Sequence, residues 1–395
     1  MSSDRPIKML DLPHLHAPIR DAMMEVIERV VDGGNYVLGE EVEAFERELA
    51  DFTGARYAIS CGSGSDALFL ALQASGVGPG DEVICPAFSF FATAGAIARL
   101  GARPVFVDVE PASLNLDPEA ARRAARGCQR LRALLPVDIF GQVARIDDFL
   151  ALGNEVGVPV IEDAAQALGA LDQRAAAAGT RARMGCLSFY PTKTLGALGE
   201  GGMILTNDPD LKSRLQSLRS HGQSALNRYT ELGVNSRLDA LKAAVLRVKL
   251  RVLPDWLRAQ KEIAADYDAL LAEAGAAPSD QPFGKTPLPL LYPSSPATPA
   301  ESAHHQYTVR VLPDARGALR TGLARRGIET AIYYPVGLHQ QPSLTKLGYT
   351  PFPLTNTEAA TRQVISLPSH PGLDASTRRH VIDTVVEVLL SIQGS

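Results

Sequence analysis

Cysteine is scarce and scattered in this chain. Cys61, Cys85, Cys128 and Cys186 are the only four in 395 residues, and no two form a CxxC pair. That pattern speaks against a disulfide scaffold or a cysteine-based zinc framework, and it predicts reduced thiols in the cytoplasm. Long apolar runs are missing too. None could span a bilayer, and the opening MSSDRPIKMLDLPHLH lacks the continuous apolar stretch of a secretory leader, so no membrane association is expected. There is no block of basic charge. With a formal net charge of −5, the chain offers nothing to attract nucleic acid. It carries no GxxxxGK[ST] loop and no GxGxxG after a strand, which leaves nucleoside triphosphate and dinucleotide sites poorly supported. No internal repeat is visible, and no metal is expected.

What is present fits an ordinary globular protein, with 46% hydrophobic and 21% charged residues and length enough for two domains. Residues 21–32 and 40–52 have amphipathic helical spacing and are separated by Gly33-Gly34-Asn35. Short β-branched runs follow at 57–59, 82–84, 104–108, 133–137 and 158–161, each ending in a small or polar residue. Ala- and Leu-rich helical stretches, such as 65–75 and 92–100, lie between them. Alternation of this kind predicts parallel βαβ units in a three-layer α/β domain. A helical stretch over 241–253 is expected to stop at Pro254. This divides the chain into a large domain, 1–250, that includes the N-terminal helix, and a smaller α+β domain, 251–395. Residues 277–302, rich in Pro, Ser and Ala, read as a surface loop. A strand at 306–312 and helices at 315–326 and 377–392 complete the smaller domain.

Three segments carry chemistry. In residues 186–208, CLSFYPTKTLGALGEGGMILTND, Lys193 is the one cation among hydroxyls, glycines and aromatics. A lysine among apolar neighbours has a lowered pKa and can form a Schiff base. Taken alone, a lysine in a Gly-rich loop is a weak signal, and a surface lysine is the plainer reading. In VPVIEDAAQALGA, Asp163 ends an apolar strand at the edge where α/β sheets bind ligands, and a carboxylate there can keep a pyridine nitrogen protonated. The alternative is an Asp that caps the following helix. In SCGSGSDALFLAL, a Gly/Ser turn before a helix puts the amides of Gly64 and Ser65 in position for a phosphate; an ordinary capped turn, with Ser65 or Asp66 as cap, uses the same residues. Taken in order, the three supply what pyridoxal phosphate needs: an anion site, a partner for the ring nitrogen and an amine.

These segments, together with HGQ…GVNSRLDALKAA and YYPVGLHQQPSL, resemble the DegT/DnrJ/EryC1/StrS family of sugar-nucleotide aminotransferases over almost the entire chain. The resemblance implies the fold-type I architecture of aspartate aminotransferase. This has a large domain with a mostly parallel seven-stranded sheet, a small α+β C-terminal domain, and a homodimer with shared active sites. It implies that Lys193 bonds to pyridoxal 5'-phosphate and moves the proton, with pyridoxamine 5'-phosphate as the intermediate carrier. Asp163 would pair with the ring nitrogen and Gln166 would lie by the ring hydroxyl. Phe90 would stack on the ring, and Gly64, Ser65 and Ser188 would bind the phosphate. Asn235 would reach the phosphate in the neighbouring subunit, and Arg237 that subunit's substrate. His221, Tyr333, Tyr334 and His339 would line the sugar pocket. Packing or a local ion pair is the alternative for these outer residues, such as Arg237 with Asp239.

The implied reaction is a transaminase reaction of class EC 2.6.1, in which L-glutamate gives its amino group to a ketone of a nucleotide-linked hexose. The pattern looks closest to the branch acting on UDP-2-acetamido-3-keto-glucuronate, which serves surface-polysaccharide biosynthesis. Where that branch has His-Tyr before the proline, this chain has Tyr333-Tyr334, so a dTDP- or UDP-linked 4-keto or 3-keto-6-deoxy sugar stays open. A dehydratase on the same fold would carry histidine in place of Lys193. A non-catalytic regulator would not need Lys193, Asp163 and the phosphate turn together.

Overall fold

The computed structural model describes residues 6–283, 286–347 and 352–393. Its large sheet is assembled from β1 (Tyr57–Cys61), β2 (Glu82–Pro86), β3 (Arg103–Val107), β4 (Leu131–Leu134), β5 (Ile161–Asp163), β6 (Met184–Ser188) and β7 (Gly202–Thr206). Two hydrogen-bonded groups, β1-β7-β6-β5 and β3-β2-β4, join through parallel bridges at Leu134–Val160 and Val137–Asp163, giving one seven-stranded sheet. Only β7 runs against its neighbours, β1 and β6; the other pairings are parallel. β7 is buried at every position and carries Met203, Ile204 and Leu205 at its centre, as expected where helices cover both faces of the sheet.

Helices α1 (Leu12–His16), α2 (Arg20–Gly33) and α3 (Glu40–Thr53) precede the sheet. α4 (Gly64–Ala74), α5 (Phe91–Arg99), α6 (Pro118–Ala125), α7 (Ile146–Val156) and α8 (Pro209–Leu218) are interleaved with its strands. α2 and α3 end at Gly34 and Gly54, both left-handed, a conformation glycine adopts without a Cβ penalty. A small hairpin, β8 (Gln223–Ala225) and β9 (Arg228–Tyr229), then leads into α9 (Ala240–Glu273).

The expected stop at Pro254 is not observed: α9 runs straight through it, and through residue 250, where a domain boundary was expected. A proline removes only one backbone donor. Here burial on both sides outweighs that loss: Leu246, Leu253 and Leu257 sit in a core beneath the large sheet, and Ile263, Tyr267 and Leu271 in the C-terminal core. The helix therefore belongs to both halves. Ile7 pairs with Ile328 and packs against the C-terminal core, so the N-terminal strand-like segment does not lie wholly with the large half.

The smaller sheet has the order β10 (Ala277–Pro278), β11 (Leu290–Tyr292), β12 (Tyr307–Val311) and β13 (Val364–Leu367). α10 (Pro313–Arg325) flanks it, the short α11 (Pro342–Thr345) instead puts Leu344 into the core of the large sheet, and α12 (Thr355–Gln363) and α13 (Ala375–Gln393) complete the C-terminal half. Residues 277–302 are therefore more than a surface loop. Leu288, Leu290 and Leu291 are fully buried, and β11 hydrogen-bonds to β12. Prolines at the edge of the run had masked a short apolar strand.

Candidate active site

The carboxyl ends of β5 and β6 and the amino end of α4 converge on one edge of the large sheet. β5 and β6 are parallel and in register at Asp163–Cys186, so Asp163 and Ser188 finish side by side. α4 starts against them. Its N-cap is Ser63, whose hydroxyl accepts from the Asp66 amide at 3.1 Å; neither Ser65 nor Asp66 is the cap. Gly64 is packed so closely that a Cβ there would lie 2.6 Å from Ser188 Cβ. The free amides of the first helical turn, at Gly64 and Ser65, and the Ser188 hydroxyl thus surround one small space. Helix N-termini favour anions there.

Asp163 is buried, with 5% of its surface exposed. The alternative of a helix cap fails, because residues 164–169 form turns and no helix follows. Its Oδ1 accepts from the Ala165 amide at 3.3 Å and its Oδ2 from the Thr93 hydroxyl at 2.8 Å. Thr93 is held in turn by Ser89, 2.8 Å away. Burial pushes the Asp163 carboxyl above its ordinary range, while Thr93, Ala165 and the Lys193 charge pull against that. Among the described residues Asp163 has no salt-bridge partner, an arrangement that suits a carboxylate awaiting a cationic ring nitrogen.

Lys193 sits in the tight loop that follows β6. The loop closes through the Lys193 amide to Tyr190 O (2.8 Å) and the Ala197 amide to Phe189 O (2.8 Å), and a Cβ at Gly196 would meet Pro191 O at 2.3 Å. Only glycine fits that position. Burial lowers the Lys193 pKa to about 8, with the Asp163 charge opposing the shift. A half-buried amine that loses its proton near neutrality, facing a buried carboxylate, suits Schiff-base chemistry.

Gln166, also buried, accepts from the Phe140 amide at 2.7 Å and donates to the Tyr334 hydroxyl at 3.1 Å. Tyr334 lies 6.1 Å from the ring of Phe90, which is 56% exposed just before α5 and so free to cover a flat ligand. Tyr333 precedes Tyr334 across a cis peptide bond and lines a cavity with Lys193. Amides and hydroxyl beside a carboxylate and an amine, with an exposed aromatic ring nearby, make a donor set that fits pyridoxal phosphate: anion cradle, ring-nitrogen partner, amine and ring cover.

The remaining predicted residues are not brought to Lys193 within this chain. Asn235 and Arg237 lie in a surface hollow with Val37 and Gly62. Asp239 pairs with Lys242 at 2.8 Å and caps α9, and Arg237 makes no ion pair among the described residues, so the local pairing alternative fails. His221, exposed and with a positive φ of 65°, closes a turn through its amide to Val234 O. His339 is misplaced relative to expectation. The Leu338 amide bonds Ala87 O, just past β2, and His339 faces a separate 710 Å³ hollow lined by Arg103, Phe106 and Phe352. Sequence reasoning missed Thr93 and the half-buried His305, which lies close enough to Lys193 for their charges to interact. Thr93 stands three residues after Phe90, at the first turn of α5, and that spacing was the available signal.

Comparison with known proteins shows the family. Residues 18–386 match the model of the DegT/DnrJ/EryC1/StrS aminotransferase family. A UDP-2-acetamido-2-deoxy-3-oxo-D-glucuronate aminotransferase of Pseudomonas aeruginosa is 39% identical over 371 residues, covering 94% of this chain and 97% of that protein. A Geobacillus stearothermophilus protein described as a pleiotropic regulatory protein is also 39% identical, covering 96% and 98%. The solved S. venezuelae DesV, in complex with a ketimine intermediate, superposes with a TM-score of 0.89 at 37% identity, covering 97% of this chain and 98% of that one.

Proposed function

This chain belongs to the DegT/DnrJ/EryC1/StrS aminotransferase family, whose enzymes work with pyridoxal phosphate, and we propose that it transfers the amino group of L-glutamate to the C3 ketone of a nucleotide-linked hexose. The observation that carries this reading is a buried Asp163 near enough for its charge to act on the amine of Lys193, whose pKa is lowered to about 8. When bound, pyridoxal phosphate supplies an electron sink for the carbon that gains or loses the amino group. Everything else falls to this chain. Asp163 holds a proton on the ring nitrogen, and Thr93 and the Ala165 amide fix the carboxylate that does so. Gly64, Ser65 and Ser188 hold the phosphate, Gln166 the ring hydroxyl, and Phe90 one ring face.

Lys193 Nζ takes the proton from Cα of the donor, which leaves as 2-oxoglutarate. The same nitrogen then returns a proton to the sugar carbon and fixes its configuration. In this reading two copies of the chain form a homodimer. Asn235 and Arg237, which line a different hollow from Lys193 in their own subunit, complete the neighbouring site, where Arg237 meets a uronate or diphosphate. His221 and Tyr333 border the sugar. Free thiols at all four cysteines fit a cytoplasmic enzyme.

The choice of C3 rests on likeness to the Pseudomonas enzyme, and the test is direct. Glutamate is mixed with the protein and a panel of UDP- and dTDP-linked 3-keto and 4-keto sugars, and product masses are read. An aminated 3-keto product is expected; amination of 4-keto sugars alone would overturn the regiochemistry. Lys193→Ala should lower turnover by about a thousandfold and abolish the absorbance of lysine-bound cofactor. An active Lys193→Ala protein would end the assignment.

A further inference from the structure

Beside Lys193, on the side closed by the N-terminal segment, lies a cavity of about 110 Å³. Among the described residues its ionisable lining includes bases and no carboxylic acid. Two lysines, Lys193 and Lys249, and three histidines, His16, His305 and His370, face it, and no aspartate or glutamate among the described residues does. The nearby Asp11 is turned to Lys8, 3.6 Å away. Lys249 is 1% exposed and makes no ion pair among the described residues; its Nζ donates to Gly196 O at 2.6 Å, leaving further donors free. Gln260 is 8% exposed, and its amide oxygen has no hydrogen-bond partner. Half a turn of that amide presents its NH₂ to the same space.

A buried ammonium without a counter-charge is costly and is normally paired. We infer that this cavity seats the α-carboxylate of the amino donor, with Lys249 as its counter-charge and Gln260 as a second hydrogen-bond donor. The inference rests on the aminotransferase reading above. It follows from adjacency. Lys193 must reach the donor's Cα to move its proton, and the α-carboxylate is one bond further on, which brings it to the cavity that Lys193 lines. The volume, room for about three or four waters, suits a carboxylate and its nearest atoms, while the rest of the donor and the larger sugar occupy the open cleft. Neutral His16, His305 and His370 can each donate one N–H, and none brings a negative charge that would repel the ligand.

The test compares L-glutamate with its α-amide, isoglutamine, which keeps the amino group and side chain but lacks the α-carboxylate. Single-turnover loss of the lysine-bound cofactor absorbance is followed in the holoenzyme and in Lys249→Met. The intact protein should prefer glutamate by at least about tenfold in half-saturating concentration, the gain of one buried charge-assisted hydrogen bond. In Lys249→Met that preference should collapse to within about threefold, while KM for the keto sugar stays unchanged and Lys249→Arg recovers part of the discrimination. Gln260→Leu, which keeps the lysine and the helix, should lose a smaller share of it. Discrimination that survives in both variants overturns the site. If the unaltered holoenzyme loses no absorbance with glutamate, glutamine or aspartate, the donor reading itself has failed, a result distinguishable from a cavity that binds nothing.

Discussion

At the scale of single residues, the site separates groups that act from groups that hold them. Lys193 and Asp163 could be singled out in the sequence only together: a lone lysine among glycines and an acid at the end of an apolar strand are each ambiguous alone, and their order with the phosphate turn is what points to a site. Their supports could not be singled out at all. Thr93 bonds Asp163 across 70 residues and the Phe140 amide bonds Gln166 across 26, contacts that only the folded sheet creates. Two outcomes follow. Asp163→Asn, which keeps the shape but cannot hold a proton on the ring nitrogen, should slow the glutamate half-reaction by about 100-fold or more, measured by stopped-flow absorbance. The second concerns pH. An amine must be neutral to attack an aldehyde, and the neutral fraction grows as pH rises through its pKa. With Lys193 at about 8 rather than the ordinary 10.5, recapture of pyridoxal phosphate by apoenzyme should accelerate up to about pH 8 and then level off. A rate still climbing at pH 10 would contradict the lowered value.

At the scale of elements, tight turns did most to place the site, and local pattern did least well where packing overruled it. The turn before α4 was readable from its Gly/Ser composition, although Ser63 proved to be the cap. Gly64→Ala should show what that turn does. The added methyl would press on Ser188 at 2.6 Å, an overpacking of about 1–3 kcal/mol, and should weaken cofactor affinity at least about tenfold by equilibrium dialysis while far-ultraviolet circular dichroism stays intact. Near-normal affinity would mean that α4 does not cradle the phosphate. Pro254 and the run 277–302 are the contrary cases. Proline content predicted an end to α9 and a loop, whereas burial of Leu253 and Leu257 in one core, and of Leu288 and Leu290 in the other, decided both. His339 belongs here as well, since it lines a hollow with Arg103 and Phe106 and not the cavity that Lys193 lines.

At the scale of the whole molecule, one sheet with β7 reversed between β1 and β6 gathers Gly64, Asp163, Ser188 and Lys193 at a single edge. That architecture followed from alternating strands and helices together with the family resemblance. What a single chain could not announce is which residues serve a neighbour. If Asn235 completes the partner's site, mixing inactive Lys193→Ala with weak Asn235→Ala subunits should restore about a quarter of normal activity, since half the dimers then hold one intact site. No gain on mixing would confine each site to one chain. The whole account depends on the nitrogen of Lys193. Borohydride reduction of the holoprotein followed by peptide mapping should find the pyridoxyl label on the peptide carrying residue 193 and on no other lysine; an unlabelled Lys193, with colour discharged or label elsewhere, would contradict it.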